Sequence, residues 1–327
     1  MDDDVGRARI AAVKLLDFLL STDPAVAPIS SMAAWWERRQ AVVARGGATI
    51  DQAILGGFAA DRVAYAFASG YQAALRVLAP DLPDDRLASL CVTERGGGHP
   101  RAIETRLTPA TGGFLLRGSK RWATLSDVAG VLLVAAVTGT PDALGRPQIR
   151  VAQIATDAPG VQITPMPPTP FTPEILHCEV RLDDVHVAPD ALLAGDGYAR
   201  TIKPFRTIED LHIQGAVFGY LLGEARRGGF PRPIVARLAA QLVTLHGLAG
   251  GDPSDAAVHV ALAGALGNAA PLVADLEASW ALAGGPGHAL WQRDRLLLGI
   301  AESARVKRLE RAWARLAGGG EAAGSAD

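Results

Sequence analysis

Hydrophobic spacing changes twice along this chain, and that order limits the fold more than any single residue does. Apolar residues recur at helical intervals in 10–20 and again in 58–78, so residues 5 to about 85 read as helices. Breaks fall at Pro24, Pro28, Gly46-Gly47 and between Pro80 and Pro83. From residue 87 to about 192 the runs become short and strand-like: 88–93, 104–107, 114–116, 122–124, 131–137, 150–155 and 178–182, separated by Pro/Gly-rich turns. Many short strands of this kind predict a barrel or sandwich. From about residue 200 the helical period returns, with helices expected at 203–226, 231–247, 254–283 and 293–317, the pattern of a four-helix bundle. The expected division is a helical part at 1–86, a central antiparallel β domain at 87–192, a helical bundle at 193–317 and a disordered Gly/Ala/Ser-rich tail at 318–327.

Composition narrows the function classes. With 49% hydrophobic and 20% charged residues the chain has enough apolar surface to build cores. A formal net charge of −2 offers no electrostatic footprint for nucleic acid. The basic run from Arg305 to Arg315 is interrupted by Glu310 and reads as one solvated helix face. Two cysteines, Cys91 and Cys178, make no disulfide framework, which predicts a reducing cytoplasm. The opening Met1-Asp2-Asp3-Asp4 has the wrong charge for a signal peptide, and no run of about 18 consecutive apolar residues predicts a membrane span. No metal site is expected.

Five motifs carry a more specific reading. Leu90-Cys91-Val92-Thr93-Glu94-Arg95-Gly96-Gly97-Gly98 is followed by Gly118-Ser119-Lys120-Arg121-Trp122-Ala123-Thr124. Then come Cys178 to Leu193 with its Val-His-Val-Ala-Pro core, Phe205 to Arg227 with Gly215 and Gly219, and Gly284-Gly285-Pro286-Gly287 before Arg293-Asp294. In this order the segments resemble the acyl-CoA dehydrogenase family, here shortened in its helical parts.

That resemblance implies an α+β fold and an FAD-dependent α,β-dehydrogenation of an acyl thioester, carried on CoA or a carrier protein. It implies a homodimer or homotetramer and an electron-transfer acceptor protein. The first two segments would lie against the flavin ring, with Val92, Thr93, Gly98 and Thr124 at its edge and Trp122 packing on it. A ring of this kind needs hydroxyls and backbone amides held rigidly at strand ends. Arg227, three residues before Phe230, would hold the flavin diphosphate of a neighbouring subunit, with Gly284, Gly285 and Gly287 allowing close backbone approach. Leu238 stands where the family has glutamine, His99-Pro100 where it has Ser-Asp, Leu125 where it has Asn, and Ser303-Ala304 where it has Gly-Thr. His99 is a candidate replacement donor toward substrate.

The chemistry further needs a carboxylate whose pKa is raised by an apolar setting, so that it can take an α-proton. The family places it at one of two positions, and both hold glutamate here: Glu302 and Glu209. Glu302 shares a helical face with Val306, Leu309 and Trp313, an apolar stripe that would desolvate it. Asp210 and His212 make the neighbourhood of Glu209 polar. Glu302 is therefore the expected base and Glu209 the alternative. Competing expectations are a flavin oxidase or monooxygenase on the same scaffold, and a degenerate subunit that keeps the fold without catalysis.

Overall fold

A computed structural model describes residues 13–141 and 147–318. The expected tail lies outside the described residues except for Gly318. The chain divides into two compact units, one formed by Met1–Ala74 with Thr207–Asp327 and one by Leu75–Arg206.

The second unit is built on one seven-stranded sheet. Its strands are β1 (Ala88–Cys91), β2 (Arg106–Ala110), β3 (Gly113–Thr124), β4 (Val131–Pro141), β5 (Pro147–Ala155), β6 (Val161–Pro165) and β7 (His177–Val187). The order is β1-β4-β2-β3-β7-β6, with β5 also on β4. The expected antiparallel domain is corrected here: the sheet is mixed. β4 runs parallel to β1 through Ala88↔Val131 to Cys91↔Val134, and parallel to β2 at Arg106↔Val137. Period-2 spacing reports that a segment is a strand and says nothing of its partner's direction. The long connection between β1 and β4, which contains the β2–β3 hairpin, is what allows a parallel crossover. Residues 131–136 of β4 are buried throughout, in keeping with a strand covered on both faces.

β3 bends twice against β7, with register shifts between Leu116 and Gly118 and between Lys120 and Ala123. At the first bend a Cβ on Gly118 would lie 2.4 Å from the Thr105 hydroxyl and 2.7 Å from the Thr105 Cα, so only glycine lets the two segments meet. At the second, Trp122 adopts a φ of 57°, which a bulky side chain rarely takes. The bulge turns its ring outward, where it is 48% exposed.

In the first unit residues 13–21 form helix α1. They are followed by α2 (Met32–Val43), α3 (Thr49–Phe58) and α4 (Val63–Leu78), whose last turn belongs to the sheet unit. The later helices are α5 (Lys203–Arg227), α6 (Arg232–Ala249), α7 (Ala256–Ala283), α8 (Pro286–Asp294) and α9 (Glu302–Leu316). Helix α7 is long and apolar enough to cross a bilayer by length and composition, and here it packs against α6 and α9.

The fourth bundle helix, expected as 293–317, is two helices with a 3-10 turn at Arg295–Gly299 between them. Pro286 starts α8 at the position where its missing N–H costs nothing. The carbonyl of Leu298, freed at the break, accepts from Arg305 Nη1 at 2.7 Å.

Helices α3 and α5 cross at glycine. A Cβ on Gly57 would lie 1.8 Å from the Ala216 carbonyl oxygen, and one on Gly219 2.4 Å from that of Ile54. Backbone faces backbone at both points, so neither neighbour can rotate away. Gly57→Ala is expected to destabilise the fold by about 1–3 kcal/mol or more, the cost of overpacking, measured as a lower urea midpoint. An unchanged midpoint would show that the crossing can widen freely.

Candidate functional site

The loop after β1 is a tight hairpin. Glu94 N–H donates to Gly97 O at 3.0 Å and Gly97 N–H returns to Glu94 O at 2.9 Å, with Gly97 at a φ of 106°. His99 then caps a short 3-10 turn, its Nδ1 accepting from the Arg101 N–H at 3.2 Å. A neutral ring accepting at Nδ1 carries its proton on Nε2, so His99 presents a donor to solvent. The ring is exposed.

Under this loop lies a buried ion pair. Lys120 Nζ sits 2.5 Å from Glu94 Oε1 and donates to Val92 O at 3.3 Å. The Glu94 carboxylate also accepts from the backbone N–H groups of Glu104 at 2.8 Å and Thr105 at 3.1 Å. Burial opposes ionisation of Glu94, but the Lys120 charge and these hydrogen bonds outweigh it and hold its pKa below the ordinary value. Burial falls harder on Lys120, whose pKa is lowered despite Glu94. The pair fixes Val92 and Thr93 on one side and β3 on the other, and Arg121 N–H closes the seam on Thr93 O at 2.8 Å.

Thr93, Trp122 and Thr124 follow directly from these anchors. Thr93 and Thr124 are half-buried, and Trp122 presents an exposed ring. The Thr124 hydroxyl is 3.2 Å from His177 Nδ1, and the Trp122 ring meets His177 edge-on at 5.6 Å. Burial lowers the His177 pKa, so the ring is neutral at pH 7. His177 has no motif of its own. Its role depends on the pairing Thr124↔His177, which is a matter of register. The motif's Cys91 is fully buried, and burial pushes its thiol up to about 12, so it is an inert packing residue.

The helical unit holds the remaining candidates. Arg227 donates through Nε at 3.2 Å and Nη2 at 2.5 Å to Glu224 Oε1, and through Nη1 at 2.8 Å to Pro24 O. Arg227, expected to serve a neighbouring subunit's flavin, makes these contacts within its own unit. Gly284 and Gly285 have φ of 70° and 97°, and a Cβ at either would meet nothing within 4 Å. Gly287 faces Glu224, where a Cβ would lie 2.5 Å from Oε2. Leu238 is fully buried.

The two candidate carboxylates sit in different surroundings. Glu302 is the first residue of α9 and is exposed, and its stripe partners Val306 and Trp313 are about half-exposed to solvent (49% and 55%). The apolar stripe exists, but among the described residues it stays partly open to solvent. Glu209 is half-buried on α5. Its neighbour Asp210 is clamped by Arg305 Nη2 at 2.8 Å and Arg308 Nη2 at 2.5 Å. His212, buried against Ile208 O and 2.9 Å from the Thr49 hydroxyl, has its pKa pushed down to about 4 by burial. The polar neighbours of Glu209 are thus an aspartate paired with two arginines and a neutral histidine.

Residues 89–185 match the acyl-CoA dehydrogenase middle domain. Isobutylamine N-hydroxylase of Streptomyces viridifaciens is 33% identical over 90 residues, 28% of this chain and 23% of that protein, so the match spans about a quarter of the relative. Butyryl-CoA dehydrogenase from Megasphaera elsdenii superposes with a TM-score of 0.68 at 16% identity, covering 94% of this chain and 98% of that one. KijD3, solved in complex with FMN and a dTDP-linked amino sugar, superposes with a TM-score of 0.65 at 16% identity over 98% and 94% of the two chains. The chain thus has the acyl-CoA dehydrogenase fold, with the match to the family's middle domain confined to residues 89–185.

Proposed function

We propose that the chain is a flavin-dependent oxidoreductase that α,β-dehydrogenates an acyl thioester on CoA or a carrier protein. The observation that carries this reading is the group formed by Thr93, Trp122, Thr124 and His177 at adjoining strand ends. An exposed aromatic ring and the Thr124 hydroxyl both meet a neutral imidazole, and the Thr93 carbonyl accepts from the N–H of Arg121, the residue before Trp122, above a buried ion pair. Such a group fits a planar heteroaromatic ring with a polar edge. A bound flavin supplies a two-electron acceptor for the β-hydrogen. This chain's own contribution is to orient the ring through Trp122, offer hydrogen bonds from Thr93 and Thr124, and remove the α-proton with a carboxylate. Desolvation favours Glu209 for that task over the exposed Glu302. FAD is the form that the family resemblance implies.

The resemblance also supports a homodimer or homotetramer handing electrons to an acceptor protein. Exposed Leu282, Leu296, Ile300, Trp313 and Leu316 in 282–316 give a second copy something to cover. The free, buried Cys91 and Cys178 fit a cytoplasmic setting.

A second reading, a flavin monooxygenase or oxidase acting on a non-acyl substrate such as an amine, is favoured by the similarity to the N-hydroxylase. The purified protein is expected to be yellow, to bleach anaerobically on addition of acyl-CoA, and to scatter light as an oligomer. Bleaching that needs an amine instead of a thioester would favour the second reading. A colourless protein that takes up no added flavin would leave only the degenerate subunit, and a monomer would remove the assembly.

A further inference from the structure

The end of α5 and the start of α8 form a place where a phosphate would ordinarily be welcome. A nine-residue helix begins at Pro286 behind two glycines of positive φ, with open space at both, and the Arg227 guanidinium lies beside the same carboxylate that faces this turn. Helix N-termini and glycine turns attract anions through unpaired N–H groups and the helix dipole. Here the anion is already present and belongs to the chain. Glu224 faces Gly287 with Oε2 and takes two hydrogen bonds from Arg227 on Oε1. The remaining guanidinium nitrogen is held by Pro24 O. Both side chains are largely buried, at 20% and 12% exposure, so solvent screens the pair only in part. An incoming diphosphate would meet the Glu224 charge and would have to displace an intramolecular, charge-assisted contact to reach Arg227.

We infer that Glu224 occupies this phosphate position as an internal substitute, and that the flavin this chain holds is the mononucleotide and not the dinucleotide. The inference rests on the flavin reading above but concerns a different part of the molecule. The ring half of a flavin fits the sheet unit. The adenosine diphosphate half finds its expected cation and turn closed by a carboxylate. Removing that negative charge, while keeping the shape of the side chain, frees Arg227 for a diphosphate.

The test is titration of the flavin-stripped full chain with FMN and with FAD, followed by fluorescence quenching, together with chromatographic identification of any flavin released from the protein as purified. FMN is expected to bind roughly tenfold or more tightly than FAD, the scale of one charge-assisted contact. Glu224→Gln is expected to tighten FAD by a similar factor and leave FMN unchanged. Tight FAD binding by the unaltered chain with weak FMN binding overturns the inference and leaves the flavin reading standing. Equal affinities that Glu224→Gln does not alter overturn it as well. Binding of neither flavin removes the flavin reading, and this inference with it.

Discussion

Replacing Glu209 with Gln is expected to slow substrate-driven flavin reduction by about 10³-fold or more, near the upper end for loss of a general base, with the flavin spectrum unchanged. Glu302→Gln is expected to cost far less. Both glutamates stand at positions where the family resemblance permits a base, so sequence alone leaves the decision to their surroundings. The stripe beside Glu302 is apolar, which favours Glu302 on paper. In the folded chain that stripe faces solvent and Glu302 sits exposed on the first turn of a helix, with no apolar pocket around it among the described residues. Glu209 is half-buried beside an aspartate paired with two arginines and a histidine that burial keeps neutral. The Asp210, Arg305 and Arg308 group carries one net positive charge, so the case for Glu209 rests on its partial burial and not on its neighbours. Stopped-flow reduction of the two variants, in the same oligomeric state as the parent, measures this directly. A Glu302→Gln protein that fails to bleach while Glu209→Gln bleaches normally reverses the assignment and means that another surface covers α9.

Lys120→Met is expected to destabilise the protein by about 3–5 kcal/mol, read from urea unfolding, because it leaves the Glu94 carboxylate buried without its counter-charge. The double change Lys120→Met with Glu94→Gln is expected to recover part of that loss, since the neutral amide removes the buried charge and its one oxygen can still accept from either the Glu104 or the Thr105 N–H. The pH dependence separates the two proteins further. In the parent the Glu94 pKa is depressed, so its contribution is present above the ordinary carboxylate range and is lost as pH falls through the depressed value. In Lys120→Met burial acts unopposed by the lysine and raises that pKa, so acidification relieves the strain. The gap between parent and variant is expected to narrow on going from pH 7 to pH 4. A gap that stays constant would mean that Lys120 stabilises the loop through its contact with Val92 O and not through charge.

Much of the architecture is legible in the residues. Helical and strand periods separate because burying one face of a helix and both faces of a central strand impose different spacings, and β4 is the clearest case. Gly118, Gly57 and Gly219 stand where segments touch backbone to backbone, a requirement that local sequence records as glycine. The motifs around Thr93 and Trp122-Ala123-Thr124 also mark the candidate site in the sequence alone.

The tertiary structure decided what depends on partners distant in sequence. The parallel pairing of β4 with β1 and β2 is a matter of chain crossing, which strand periodicity does not carry. His177 joins Thr124 and Trp122 only through register across β3 and β7. Glu94 and Lys120, ordinary charged residues in the sequence, become a buried anchor because the fold removes both from water. Arg227 and Glu224 lie one helical turn apart, where their pairing could have been read. That Glu224 also faces the turn before α8, and that the apolar stripe of Glu302 stays in solvent, follow from how the helices pack. Sequence by itself determines which faces are apolar and where the backbone must be small. Which charges meet, and which of them lose their water, depends on long-range packing, and that packing sets proton affinity and ligand choice.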